Sequence, residues 1–116
     1  MTRYPLALLI LLTAGVPHAS GQQASDGLTD QQRLGRQLLS QNCGVCHLPP
    51  SRGAKTYGPT LHKGSSAGDD GLMRKIITDG TPRMPAFKFT LQTSDIDAIM
   101  AFVRTVAPPP APAAAR

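Results

Sequence analysis

Both cysteines of the chain lie in one hexapeptide, Asn42-Cys43-Gly44-Val45-Cys46-His47. Two thiols three positions apart, with an imidazole directly after the second, constrain this chain more than any other feature. Three chemistries use that layout: a zinc half-site, a dithiol redox pair and a covalently attached haem. The remaining residues have to choose among them.

The chain opens MTRYPLALLILLTAGVPHASGQQ. Arg3 supplies a positive start. Leu6 to Val16 form an apolar run of about eleven residues, too short for the ~20 that span a bilayer. Ala19 and Gly21 are small and two apart, as residues before a cleavage site are. These features predict a cleavable signal peptide over 1–21 and an exported, periplasmic mature protein without a membrane span. Outside the cytoplasm a free dithiol tends to oxidise. A lone Cys43–Cys46 disulfide closes so small a loop that it adds little stability, so the motif needs a more specific use.

Removing Arg3 from the 12 basic residues leaves 11 against 7 acids, all of them Asp. The excess is mild and scattered, and no basic run resembles a nucleic-acid arm. It suits a soluble monomer whose partners carry acidic docking surfaces. Arg52, Lys55, Lys63, Arg83 and Lys88 fall in loops, while most acids lie in or beside helices.

Three helices are predicted. Thr29 to Gln41 opens on Thr29 and Gln32 at capping-box spacing; Leu34 and Leu38 lie one turn apart, as do Gly35 and Leu39. Roughly Gly71 to Asp79 carries the stripe Leu72, Met73, Ile76 and Ile77 and ends at Gly80. The third starts near Thr93 or Ser94, with Ile96, Ile99, Met100 and Val103 in an i, i+3, i+4, i+7 pattern. Residues 22–107 form one domain, and the Pro/Ala-rich stretch 108–116 reads as a disordered tail. Between His47 and Gly71 runs a long loop rich in Gly, Pro, Ser and Lys, unusual in so small a domain unless it wraps a ligand. The core is thin as well: there is no Trp, and Phe numbers 3. Domains this small are marginal without a staple or a cofactor.

Zinc needs about four N/S ligands. Beyond Cys43, Cys46 and His47 the domain offers only the distant His62, which otherwise reads as a solvated loop residue. A thioredoxin-like dithiol belongs at a helix N-terminus after a strand, whereas this motif ends a helical segment. Haem attachment accounts for every residue of the motif. The two thiols add across the two porphyrin vinyl groups as thioethers, and the next residue presents an imidazole to the iron.

With these residues the chain resembles the class I monohaem c-type cytochromes over about Asp26 to Val106. Gly35 and Leu39 stand where that family keeps a glycine and, usually, an aromatic. "GPTL", Gly58 to Leu61, looks like the loop beneath the haem. "RMPAFKFTLQTSDIDAIMAFVRTV" looks like the sixth-ligand loop followed by the last helix. The resemblance implies an all-α fold, three or more short helices wrapped around one covalent haem c and its iron. It implies thioethers at Cys43 and Cys46, His47 and Met84 as axial ligands, and the carbonyl of Pro59 accepting a hydrogen bond from His47. Gly35 would let the first helix cross the last against Phe102. Tyr57, Arg52 and Lys63 are the candidates to meet the haem carboxylates, since no tryptophan is present to do so. Met73 and Met100 read as core, and Phe87 and Phe89 as core or haem-packing residues. The function implied is electron transfer between a donor dehydrogenase or reductase and an acceptor, with no catalytic residues. The alternative is a haem enzyme or ligand sensor with an open iron position; Met84 argues against it.

Overall fold

The computed structural model describes residues 26–48 and 55–110. Residues 1–21, expected to be a signal peptide, Arg52, and residues 111–116 of the expected tail lie outside them. The described chain is all-α, as expected, with no strand among these residues.

Helix α1 spans Asp30–Asn42. Thr29 caps it: its Oγ1 accepts the Gln32 N–H at 3.2 Å, and Gln32 Oε1 accepts the Thr29 N–H at 2.9 Å. The exchange satisfies two donors that a helix start otherwise leaves unpaired. Asp26 fastens the entry by pairing with both Arg33 and Arg36. That environment, led by the Leu28 N–H, holds its carboxyl below the ordinary range. The buried face of α1 is Gly35 and Leu39, continued by Cys43, whereas Leu34 is exposed.

A four-residue helix, α2 (Gly44–His47), follows almost at once. The sequence reading did not contain it, because four residues are too few for a periodicity. A 3₁₀ turn at Ser65–Gly68 then leads into α3 (Asp70–Asp79), which Asp69 caps by accepting the Leu72 N–H at 2.9 Å. Ser66, Ala67 and Gly68 all have positive φ, at 56°, 54° and 79°. Two of these are non-glycine residues in the left-handed region, a conformation that costs energy and persists only when its surroundings hold it.

Helix α4 (Thr93–Val103) supplies more of the core than any other element. Ile96, Ile99, Met100 and Val103 are buried along one stripe. Here α1 crosses α4. A Cβ at Gly35 would collide with the carbonyl of Ala98 and press on the Ile99 nitrogen. The glycine therefore does permit a close crossing, but against the backbone at Ala98. Phe102, one turn further along α4, is half-buried and packs against the core. Arg74 pairs with Asp97 and links α3 to α4.

Arg104 caps the far end of α4. Its Nε donates to Asp70 at 2.7 Å, and one Nη donates to the carbonyls of Lys63 and Ser65 at 2.6 and 3.0 Å. One guanidinium thus fastens the start of α3 and the loop before the strained turn to α4. The Lys63 N–H donates back to the Val106 carbonyl at 2.9 Å.

Candidate haem site

The helices and loops leave a cavity of about 580 Å³ in the middle of the fold, inside the ~300–1,000 Å³ of ligand clefts. Its wall includes core side chains: Met73, Ile77, Ile99 and Val103, with Leu61 and Phe87 beside them. Both thiols, His47, Tyr57, Pro59 and Met84 also line it. Both thiols, His47 and Met84 therefore meet in one place, with Pro59 and Tyr57 beside them.

The thiols arrive by way of α1 and α2. The Cys43 N–H ends α1 on the Leu39 carbonyl at 2.9 Å, and the Cys46 and His47 N–H groups both turn back onto the Cys43 carbonyl. This tight turn puts both cysteines on the cavity wall. No disulfide joins them. Burial pushes the Cys43 thiol up from its ordinary pKa, and Cys46 beside it acts the same way. A raised thiol pKa is the reverse of what a reactive redox dithiol requires.

His47 is buried, and its Nδ1 lies 2.7 Å from the Pro59 carbonyl oxygen. A carbonyl only accepts, so the proton between them sits on Nδ1, and Nε2 is the nitrogen left to offer a lone pair to a metal. Such a bond fixes both the tautomer and the ring orientation of a metal-binding histidine. The Gly58 N–H donates to the Cys46 carbonyl at 2.8 Å, which brings the Pro59 loop against the motif. The imidazole lies so close to Gly58 that a Cβ there would stand 2.6 Å from Cε1. Gly58 belongs to the site, and the sequence reading gave it no role of its own.

Met84 comes from the chain beyond α3. Gly80 ends that helix with φ of 74°. A Cβ at Gly80 would meet the Met84 oxygen at 2.6 Å and the Ala86 nitrogen at 2.7 Å. Glycine is thus required twice, for the turn and for the backbone that folds back over it. Thr81 and Met84 then exchange both backbone bonds, at 2.8 and 3.1 Å, around Pro82 and Arg83. Further on, the Phe87 and Lys88 N–H groups donate to the Ile77 and Thr78 carbonyls, capping α3. The Met84 turn is thereby pinned on both sides, with its side chain half-buried at the cavity.

Met73 and Met100 are core, as expected, and Met73 also lines the cavity. Other residues fall differently from the sequence reading. His62 is half-buried, lines the cavity, and accepts the Gly64 N–H on Nδ1 at 3.1 Å. Phe87 packs against the core, but Phe89 is 83% exposed, with Lys88 over its ring. Lys88 is also bound to Asp79, so it is not a free surface cation. Tyr57 lies at the cavity edge beneath Arg83; Lys63 is exposed and does not line the cavity.

The lining, apolar side chains with two thiols, an imidazole and a thioether among them, has the chemistry that an apolar metal-bearing cofactor would take. The class so defined is a small helical c-type cytochrome domain. The family model described as "Cytochrome C oxidase, cbb3-type, subunit III" matches residues 30–103. The chain belongs to that family of c-type cytochrome domains, so its cofactor is covalently bound haem c with its iron and its role is that of a haem-based electron carrier. No curated protein and no solved structure matches the chain. Among the described residues no helix is long and apolar enough to cross a membrane.

Proposed function

We propose that the protein is an exported electron carrier holding one haem c by Cys43 and Cys46, with His47 and Met84 as the two axial ligands. Bound haem supplies the one-electron chemistry, its iron passing between ferric and ferrous. His47 binds through Nε2, kept free by the Nδ1–H bond to Pro59. Met84 binds through its thioether, which favours the ferrous state and raises the reduction potential. Met73, Ile77, Ile99 and Val103 exclude water from the site and act in the same direction. The observation that carries this reading is the convergence of both thiols, a tautomer-fixed imidazole and one pinned methionine on a single apolar cavity.

The test is a pyridine haemochrome spectrum together with the intact mass of the mature protein. The expected result is one haem retained through acid–acetone extraction, with both vinyl groups consumed. Mature protein made with the full haem-attachment machinery and carrying no haem would overturn the reading.

Its partners, on this reading, are redox proteins with acidic docking faces. Lys55, Lys63 and Arg83 are exposed in the loops around the site. Long-range attraction of this kind speeds encounter and is screened by salt. Electron-transfer rates to the physiological partner should fall as ionic strength rises; rates that stay flat would rule the electrostatic docking out.

A further inference from the structure

Arg83 and Tyr57 come from two different loops and meet at the edge of the cavity. The guanidinium carbon of Arg83 lies 5.1 Å from the centroid of the Tyr57 ring, within the ~6 Å of a cation–π contact. Both residues line the cavity and both are exposed, Tyr57 at 62%, which puts the pair at its mouth. Each side chain grows from anchored backbone. Tyr57 precedes Gly58, whose N–H holds the Cys46 carbonyl. Arg83 sits inside the turn closed by the two Thr81–Met84 bonds. Among the described residues no carboxylate pairs with Arg83. The ring, rather than an acid, sets where the guanidinium goes.

We propose that Arg83 over Tyr57 is a clasp that ties the Met84 turn to the Pro59 loop across the cavity mouth and holds Met84 against competing ligands. Both are positioning residues: Arg83 directly precedes Met84, and Tyr57 precedes Gly58, which packs on the His47 ring. The proposal rests on the reading of Met84 as the sixth ligand. While the clasp is closed, the turn carrying Met84 is held to the other loop, and an incoming small ligand must wait for it to open. Once the contact is lost, the turn keeps its own backbone bonds but not its tie to the Pro59 loop. Displacement of the thioether then becomes more frequent, with no change in oxidation state.

The test uses ferric holoprotein mixed with imidazole, following the rate at which the near-infrared sulfur-to-iron band is lost. Arg83→Ala and Tyr57→Leu should each raise that rate roughly two- to fivefold, the range a surface cation–π contact can supply. The double variant should be no faster than the faster single, because either change breaks the same contact. Arg83→Lys and Tyr57→Phe should restore most of the slow rate, since a cation and a ring face survive. Single variants with unchanged rates, or effects that multiply in the double variant, would overturn the clasp. A Tyr57→Phe effect as large as that of Tyr57→Leu would also overturn it, by assigning the role to the hydroxyl. The two readings separate in the unmutated protein. If the ferric form lacks the band, Met84 ligation fails and the clasp falls with it. If the band is present and the rates ignore Arg83 and Tyr57, the clasp alone fails.

Discussion

A single methyl group at Gly58 would decide how the imidazole of His47 sits. The added Cβ would lie 2.8 Å from Nδ1, and the ring cannot retreat without giving up its 2.7 Å bond to Pro59. Gly58→Ala should therefore destabilise the holoprotein by about 1–3 kcal/mol, the usual cost of overpacking. A guanidinium titration followed by Soret absorbance measures it; an unchanged midpoint would mean the ring is not pinned there. Met84 is tested by its spectrum. Met84→Ala should remove the near-infrared sulfur-to-iron band, lower the reduction potential and open ferric iron to cyanide, while Met73→Ala and Met100→Ala keep the band. A band that survives Met84→Ala and disappears with Met73→Ala would move the ligand to the other methionine on the cavity wall. The thiols and His47 were legible in the sequence because their chemistry is local: spacing alone brings them together. Pro59 was reached only through resemblance, because no pattern ties a loop carbonyl to a ring twelve residues away. Gly58 left no signal, since a glycine in a Gly- and Pro-rich loop looks the same whether or not a ring presses on it. Phe89 was misread for a related reason: the exposure of a loop aromatic depends on which way the turn faces.

Among the elements, the crossing of α1 over α4 is the most exacting contact. Gly35→Ala places a methyl group against the Ala98 carbonyl, which is backbone and cannot rotate away. Alanine would add about 1 kcal/mol of helix propensity, but the overlap should outweigh it. The net expectation is a loss of about 1–3 kcal/mol in unfolding free energy, with the Soret spectrum preserved. A more stable Gly35→Ala protein would show that propensity wins and that the helices are not this close. The three longer helices were readable because each has a stripe, and α1 a start signal and α3 a stop signal besides; the Thr29–Gln32 exchange appears as the sequence suggests. Two details were not readable. In α1 the faces led by Leu34 and by Gly35 look alike in the sequence, and only the approach of α4 selects Gly35. Close approach to a backbone favours the residue with no side chain, whereas a stripe argument rewards the leucine. The strained turn at Ser66 and Ala67 was also invisible, because neither residue favours positive φ. It is held from outside, by Arg104 bonded to the Lys63 and Ser65 carbonyls.

For the molecule as a whole, the core and the cavity are largely the same residues. Met73, Ile77, Ile99 and Val103 belong to the buried cluster and also face the 580 Å³ space. The sequence hinted at this through its missing aromatics and its long loop, though the size of the gap could only be seen once the helices were assembled. The space reaches the surface beside Tyr57 and Arg83, so in a chain without its cofactor water would wet these four core side chains and remove apolar burial that the helices need. Haem is therefore expected to complete the core as well as carry the electron. Cys43→Ala/Cys46→Ala protein purified free of haem should show weak helical circular dichroism, rapid proteolysis and no cooperative thermal transition. Addition of haem to the same variant should recover part of the helix signal, because His47, Met84 and the apolar wall remain. A cooperative transition in the haem-free variant would show that α1, α3 and α4 can close on one another and that the cavity collapses at little cost.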